Sequence, residues 1–174
     1  QVIPKLKKIT LIDSADNKVF EEVAQVKKAA NALGIQVQDL MIEQQPDLYT
    51  VSRHIDANSQ AIFILKDHMI VNGIATLTNQ AEKMHIPLIS SDDGSVKEGA
   101  GYALGVRESE IGKISADVTA EILNGTNVGT IPMRTMTNYH VFINKSQLKQ
   151  QHIDLDRLLA AAHRAGYGVV YLSK

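Results

Sequence analysis

No cysteine occurs in the sequence, which excludes a disulfide scaffold, a cysteine-ligated zinc site and a thiol nucleophile. No run approaches the roughly 18 apolar residues of a membrane span, and no signal-peptide pattern is visible. Aromatic residues are scarce: five Tyr and three Phe form no evident stacking box for a ring. An excess of either charge is also missing, because 18 Lys plus Arg face 19 Asp plus Glu, leaving a net charge of −1. That balance gives no electrostatic reason to expect nucleic acid or an anionic membrane surface as partner.

What is present suits one ordinary globular domain. The chain has 174 residues, 44% of them apolar and 21% charged, enough to bury a real core. The first residue is Gln1 rather than Met, which reads as a fragment or a processed chain. There is no internal repeat and no low-complexity segment.

Apolar runs and helical periodicities alternate. Residues 9–12 (ITLI) read as a strand, followed by a helix carrying Phe20, Val23, Val26, Ala30 and Leu33 at three- and four-residue spacing. Gly34 stands where a C-cap glycine belongs. Residues 35–42 read as a second strand, and Asp47 is placed to cap a helix running to about Asn58. The run 61–65 (AIFIL) has the continuous apolarity of a strand buried on both faces. Ile70, Ile74, Leu77, Ala81 and Met84 mark one amphipathic helix. Strands at 87–91 and 102–106 follow, then a helix with Ile111, Ile114, Val118 and Ile122 that ends at Asn124–Gly125. This alternation predicts βαβ units: an α/β, three-layer, Rossmann-like lobe with a mainly parallel sheet. Beyond residue 126 the character changes to a loop, a short strand at 140–143, a small helix from Lys145, a helix over 155–165 and a final short strand.

Several chemistries fail on spacing. Six histidines are scattered, with neither HxH nor HExxH to bring ligands onto one ion. "GAGYALG" (99–105) has GxGxxxG spacing and precedes a strand, so its glycines read as turn and packing residues rather than a phosphate cradle. No GxSxG elbow surrounds any serine. Asp92 and Asp93 are adjacent on a turn and point apart, which argues against a shared acid–base pair. No catalytic set, metal site or cofactor is expected.

Polar residues remain at three strand ends: "DSADN" (13–17), "KDHM" (66–69) and "SDDGS" (91–95). In a parallel sheet these turns share one edge, the edge where open α/β sheets bind ligands. Carboxylates there suit an ammonium group, while hydroxyls and helix-start N–H groups suit a carboxylate, so an amino acid or similar zwitterion is the natural guest. Taken singly, Ser14, Asp67 and Asp92 read better as caps of the following helices; it is the set that points to binding.

"SSDDGSVKEGAGYALGVRESEIGK" resembles the second half of the bacterial ABC-transporter substrate-binding proteins that include binders of tryptophan and other aromatic amino acids. "KKITLIDSADNKVFEEVAQVKKAANALGI", "AIFILKDHMIVNGI" and "GTIPMRTMTNYHVFINKSQLKQQHI" are similar to that family's successive elements, so the resemblance spans roughly residues 5 to 155 in order. It implies a type I periplasmic-binding-protein-like fold, with residues 1–128 as the C-terminal ligand-binding lobe and 129–174 as crossover, short strand and C-terminal helical extension. It also implies a solute-binding role in uptake, an ABC permease as membrane partner, and an extracytoplasmic location as a periplasmic protein or a membrane-anchored lipoprotein. Ser14, Asp16, Asn17, Asp67, His68, Asp92 and Asp93 are the implied cleft residues, with Asp92 on the ligand's amino group. After Asp67 the family usually carries Asn and a small hydroxyl residue, where this chain has His68 and Met69, so the ligand is left open. The alternative is a sensory or regulatory module built on the same lobe. With the other lobe lacking, strand 140–143 is expected to have no partners, an edge that invites a homodimer through residues 139–165.

Overall fold

The computed structural model describes residues 2–16 and 18–172. Seven strands form one sheet in the order β2-β1-β3-β4-β5-β6-β7. They are β1 (Lys8–Ser14), β2 (Gln36–Ile42), β3 (Ile62–Ile64), β4 (Leu88–Ser90), β5 (Tyr102–Gly105), β6 (His140–Asn144) and β7 (Gly168–Leu172). Every pairing is parallel except β5 with β6. The four inner neighbours β1, β3, β4 and β5 therefore end on one edge, as the βαβ alternation predicts.

Helices cover both faces. Alternate strand residues Ile12, Ile62, Ile64, Leu88 and Ala103 face one side. There they meet α2 (Asp47–Val51), α3 (His68–Asn72), α4 (Ile74–Met84) and α5 (Asp93–Glu98), through Leu48, Ile70, Leu77 and Val96 among others. Leu11 and Leu65 face the opposite side and pack on Val23 of α1 (Phe20–Ala32). Val141 and Ile143 of β6 meet Leu148 of α7 (Lys145–Gln150) and Leu158 and Ala162 of α8 (Leu155–Arg164). The remaining long helix, α6 (Glu108–Leu123), contributes no residue to these clusters.

Three expectations are corrected by tertiary contacts. Strand 140–143 is not partnerless: β6 lies between β5 and β7, because amphipathic α8 carries the chain back so that Gly168–Leu172 adds a parallel partner. The open edges are β2 and β7. The helix expected over residues 70–84 is broken at Gly73, where a Cβ would lie 2.6 Å from Leu48 Cδ2. The close approach of α2 thus divides one periodic run into α3 and α4. Finally, α2 ends at Val51 and continues only as a 3-10 turn over Ser52–His54. Asp47 does not cap that helix as its N-cap residue; it accepts instead from the backbone N–H groups of Glu43 and Gln44, at 3.3 and 3.1 Å.

Candidate functional site

The loops after β1, β3 and β4 meet on the shared sheet edge, and the residues singled out there divide into three groups. Asp67 is buried and spent on structure. As the N-cap of α3 its Oδ1 accepts from Met69 N–H at 2.9 Å and Ile70 N–H at 3.4 Å, while Oδ2 accepts from Ser14 N–H at 2.8 Å. One carboxylate thus ties the end of β1 to the start of α3. Ser14 is buried beside it, its hydroxyl without a hydrogen-bond partner among the described residues. Asp16 is exposed at the rim and accepts from Lys18 N–H at 3.0 Å. Asn17 lies outside the described residues.

His68, Asp92 and Asp93 come together. With Lys66, Lys97 and Glu108 they line an open cavity of about 340 Å³ beside the ends of β3 and β4. Asp92 is the N-cap of α5: Oδ1 accepts from Ser95 N–H at 2.8 Å and Oδ2 from Ser95 Oγ at 2.7 Å. Ser90 Oγ in turn donates to the Asp92 carbonyl at 3.0 Å. The carboxylate is therefore fixed in place and still borders the cavity. Asp93 faces Lys97 one helical turn on, at 2.8 Å. Lys66, from the loop after β3, pairs with Glu108 at the start of α6, and His68 Nε2 stands 3.2 Å from Asn72 Nδ2.

The electrostatics follow from that lining. Glu108 raises Lys66 by hydrogen bonding and charge, with burial opposing, and Asp92 and Asp93 add to the effect. Asp93 raises Lys97 in the same way. Three carboxylates (Asp92, Asp93, Glu108) against two ammonium groups (Lys66, Lys97) leave one negative charge in excess. Such a wall takes a cation through its carboxylates and an anion through its lysines, the two halves of a zwitterion.

Four charged residues of this edge escape a motif reading. Lys66 and Lys97 lie inside or beside the loops already singled out, and the i,i+4 spacing of Asp93 and Lys97 is the one signal that pairs them. Glu108 carries no signal, since its partner is 42 residues away in sequence. Asp13 is the fourth. It is buried at 3% exposure on the α1 face, with Oδ1 lacking a hydrogen-bond partner among the described residues. Burial and then the neighbouring Asp39 push its carboxyl up to about 7, against the pull of Lys27. The glycines of "GAGYALG" border packed protein: a Cβ on Gly99 would lie 2.3 Å from Thr78 Oγ1, and one on Gly105 would lie 2.7 Å from the Ser91 carbonyl oxygen. Among the described residues, no three of His, Asp and Glu are grouped to hold a metal ion, and no helix is long and apolar enough to cross a membrane.

Residues 1–165 match the family model for ABC transporter substrate binding proteins. An uncharacterized protein of Rickettsia prowazekii is 40% identical over 157 residues, which make up 90% of this chain and 52% of that protein. A tyrosine-binding protein of Clostridioides difficile is 26% identical over 160 residues, 90% of this chain and 45% of that protein. Among solved structures, an ABC domain from Streptococcus pneumoniae in complex with L-Trp superposes with a TM-score of 0.79 at 17% identity, over 97% of this chain and 57% of that one. The chain therefore spans about half the length of the curated relatives it matches. It belongs to the ABC transporter substrate-binding protein family, a family of binding proteins rather than enzymes, and has the periplasmic-binding-protein-like fold.

Proposed function

We propose that the chain is one lobe of the solute-binding component of an ABC-type uptake system, and that it offers one wall of a cleft to an amino acid or related zwitterion. The observation that carries this reading is the cavity at the carboxyl edge of the sheet, where Asp92, Asp93 and Glu108 outnumber Lys66 and Lys97. In this reading Asp92 and Asp93 take the ligand's ammonium group, and Lys66 and His68 take its carboxylate. Fixing Asp92 through Ser95 before the ligand arrives lowers the ordering cost of binding. A wall this open leaves much of a small ligand in water, so high affinity needs a second wall. The tyrosine-binding relative and the L-Trp complex favour an amino acid, and family membership favours a permease as partner and an extracytoplasmic place of work.

The test is calorimetric titration with the twenty amino acids in pools. The protein is a chimera in which this chain replaces the matching segment of the Rickettsia prowazekii relative, so that a full-length member is titrated. Asp92→Asn keeps a capping oxygen at the start of α5 while removing the charge, and Asp93→Asn leaves the cap untouched. Saturable binding of one class, weakened about tenfold or more by either change, supports the reading, since losing a charge-assisted hydrogen bond costs on the order of 1.5–3 kcal/mol. Absence of heat from every pool overturns the amino-acid assignment.

A further inference from the structure

The sheet has two open edges, and they are built differently. β2 carries a charge at its centre, Asp39, paired with Lys27 of α1, and a charged residue on an edge strand discourages further pairing. β7 (GVVYL) has no charge, no proline and no bulge in its register with β6. Gly168 N–H donates to the Tyr139 carbonyl at 3.2 Å. Alternation along the strand then turns the N–H and C=O groups of Gly168, Val170 and Leu172 toward β6, and those of Val169 and Tyr171 outward. These two residues are 37% and 50% exposed and share the face that carries α7 and α8. Tyrosine gathers here too. Of the five in the chain, Tyr139 and Tyr167 pack edge to face at the foot of β7 with ring centroids 6.0 Å apart, and Tyr171 lies 4.2 Å under the Lys145 ammonium. Tyrosine is among the residues that protein interfaces concentrate.

We propose that β7 is a pairing edge for a second copy of this chain, joining the two sheets antiparallel across a two-fold axis at Val170. The strand is self-complementary in that register. Val169 falls opposite the second copy's Tyr171, and each such pair exchanges both of its N–H···O=C bonds, because these are the residues whose backbone groups point outward. The same pairing sets a β-branched side chain against an aromatic one, a favourable cross-strand contact. Val170 meets its own copy at a non-hydrogen-bonded position, and Gly168 meets Leu172. α8 and α5 both lie against β7 and flank the edge. A five-residue strand spans about 17 Å, and with a helix layer of about 10 Å on each face two copies bury roughly 1,000 Å², the low end for a specific interface. The expected dimer is therefore reversible. The homodimer expected through residues 139–165 finds its free edge here instead, since β6 is paired on both sides. The cavity beside β3 and β4 lies away from β7 and stays open, so the inference holds whatever the cavity binds.

Sedimentation equilibrium of the 174-residue chain over about 1–500 µM tests the proposal, the range in which an interface of that size dissociates. The average mass should climb from the 19.1 kDa monomer toward twice that value. Val169→Lys places an ammonium beside the second copy's Lys145 and should weaken association about tenfold or more. Val169→Pro removes an outward N–H that β6 does not use, so it should have the same effect with the β6–β7 ladder intact. Urea midpoints of both variants check that the monomer is folded. The register has its own test, because the chain has no cysteine. With an added oxidant to take up the thiol hydrogens, Val170→Cys should form a covalent dimer, its two Cα atoms about 4.5 Å apart across the axis, within the span of a disulfide. Val169→Cys, displaced by two residues from its copy, should not. A mass that stays at the monomer value throughout overturns the proposal, as does a dimer indifferent to Val169→Lys and Val169→Pro. Cross-linking at 169 rather than 170 overturns the register. A dimer lost instead on Leu123→Asp, a residue of α6 that is 81% exposed, lies elsewhere and overturns the proposal too. So does a dimer that the 174-residue chain forms and the chimera does not, because its surface is then one that the rest of a full-length member covers.

Discussion

Asp13→Asn should stabilise the protein above neutral pH and leave it nearly unchanged in acid. Asp13 sits at the end of β1 facing α1, buried, with Asp39 of β2 and Asp67 as like-charged neighbours and Lys27 of α1 as the opposing cation. Burial and the Asp39 carboxylate raise it from 3.8 to about 7. A raised acid holds its proton in the folded state after the unfolded chain has lost it. Below about pH 4 both states are protonated and the group contributes no penalty. As pH climbs from 4 to 7 the folded state binds the extra proton and stability falls, levelling off above 7. At 1.36 kcal/mol per unit, the full displacement corresponds to at most about 4 kcal/mol. Relaxation and water penetration reduce that, so about 2–4 kcal/mol is expected at pH 8. Asn keeps the shape, carries no charge to desolvate and donates toward Asp39. The assay is urea unfolding of wild type and variant at half-unit steps from pH 4.5 to 8.5. The difference in unfolding free energy between the two isolates Asp13 from the other carboxylates. It should grow from near zero at the acid end to its plateau, with a thermal midpoint about 5–10 °C higher for the variant at pH 8. A difference independent of pH, or one favouring wild type at pH 8, refutes the reasoning.

Three further changes probe the framework around the site. Gly99→Ala forces a side chain onto a φ of 139° and a Cβ to 2.3 Å from Thr78 Oγ1, so a loss of about 2–4 kcal/mol is expected by urea unfolding, with an unchanged m value. Gln151→Leu strips a fully buried amide that accepts from Leu88 N–H at 2.8 Å and donates to the Gly99 carbonyl at 3.0 Å; the backbone groups left unpaired should cost about 2–4 kcal/mol in the same assay. Asp67→Ala removes the α3 cap and the acceptor for Ser14 N–H together, for a loss of about 2–3 kcal/mol and faster amide exchange confined to Met69, Ile70 and Ser14.

The parts of the fold legible in the sequence are those set by local period and composition. "AIFIL" reads as a central strand because β3 is paired on both edges and its residues pack into cores on both faces, and Gly34 reads as a helix stop because its φ of 67° favours glycine. What was not legible depends on contacts between distant segments. The partner of β6 arrives only after α7 and α8, and nothing in "HVFI" announces it. The periodic residues of 70–84 continue in phase through Gly73, so the break there is visible only once Leu48 is in place. The stripe on α6 reads as a core-facing helix, yet no residue of α6 is buried.

The candidate site shows the same division in sharper form. A side-chain oxygen at the carboxyl end of a strand serves a helix start and a ligand equally well, because both offer N–H donors or positive charge at the same place. Residue type and position therefore leave the two roles undivided, and the geometry adds which oxygens are engaged in capping and which residues border the cavity. Asp67 has its oxygens turned to Ser14, Met69 and Ile70 and does not line the cavity, which makes it a structural anchor. Asp93 is balanced by Lys97 on the surface, and in the proposed reading it gives up part of that contact to receive an amine. In the proposed reading Asp92 meets both demands at once: Ser95 donates once to each oxygen, leaving further acceptor capacity on a residue that borders the cavity. A carboxylate held in this way has lost its rotamer freedom to folding rather than to binding, so in the proposed reading capping and recognition reinforce each other at this residue.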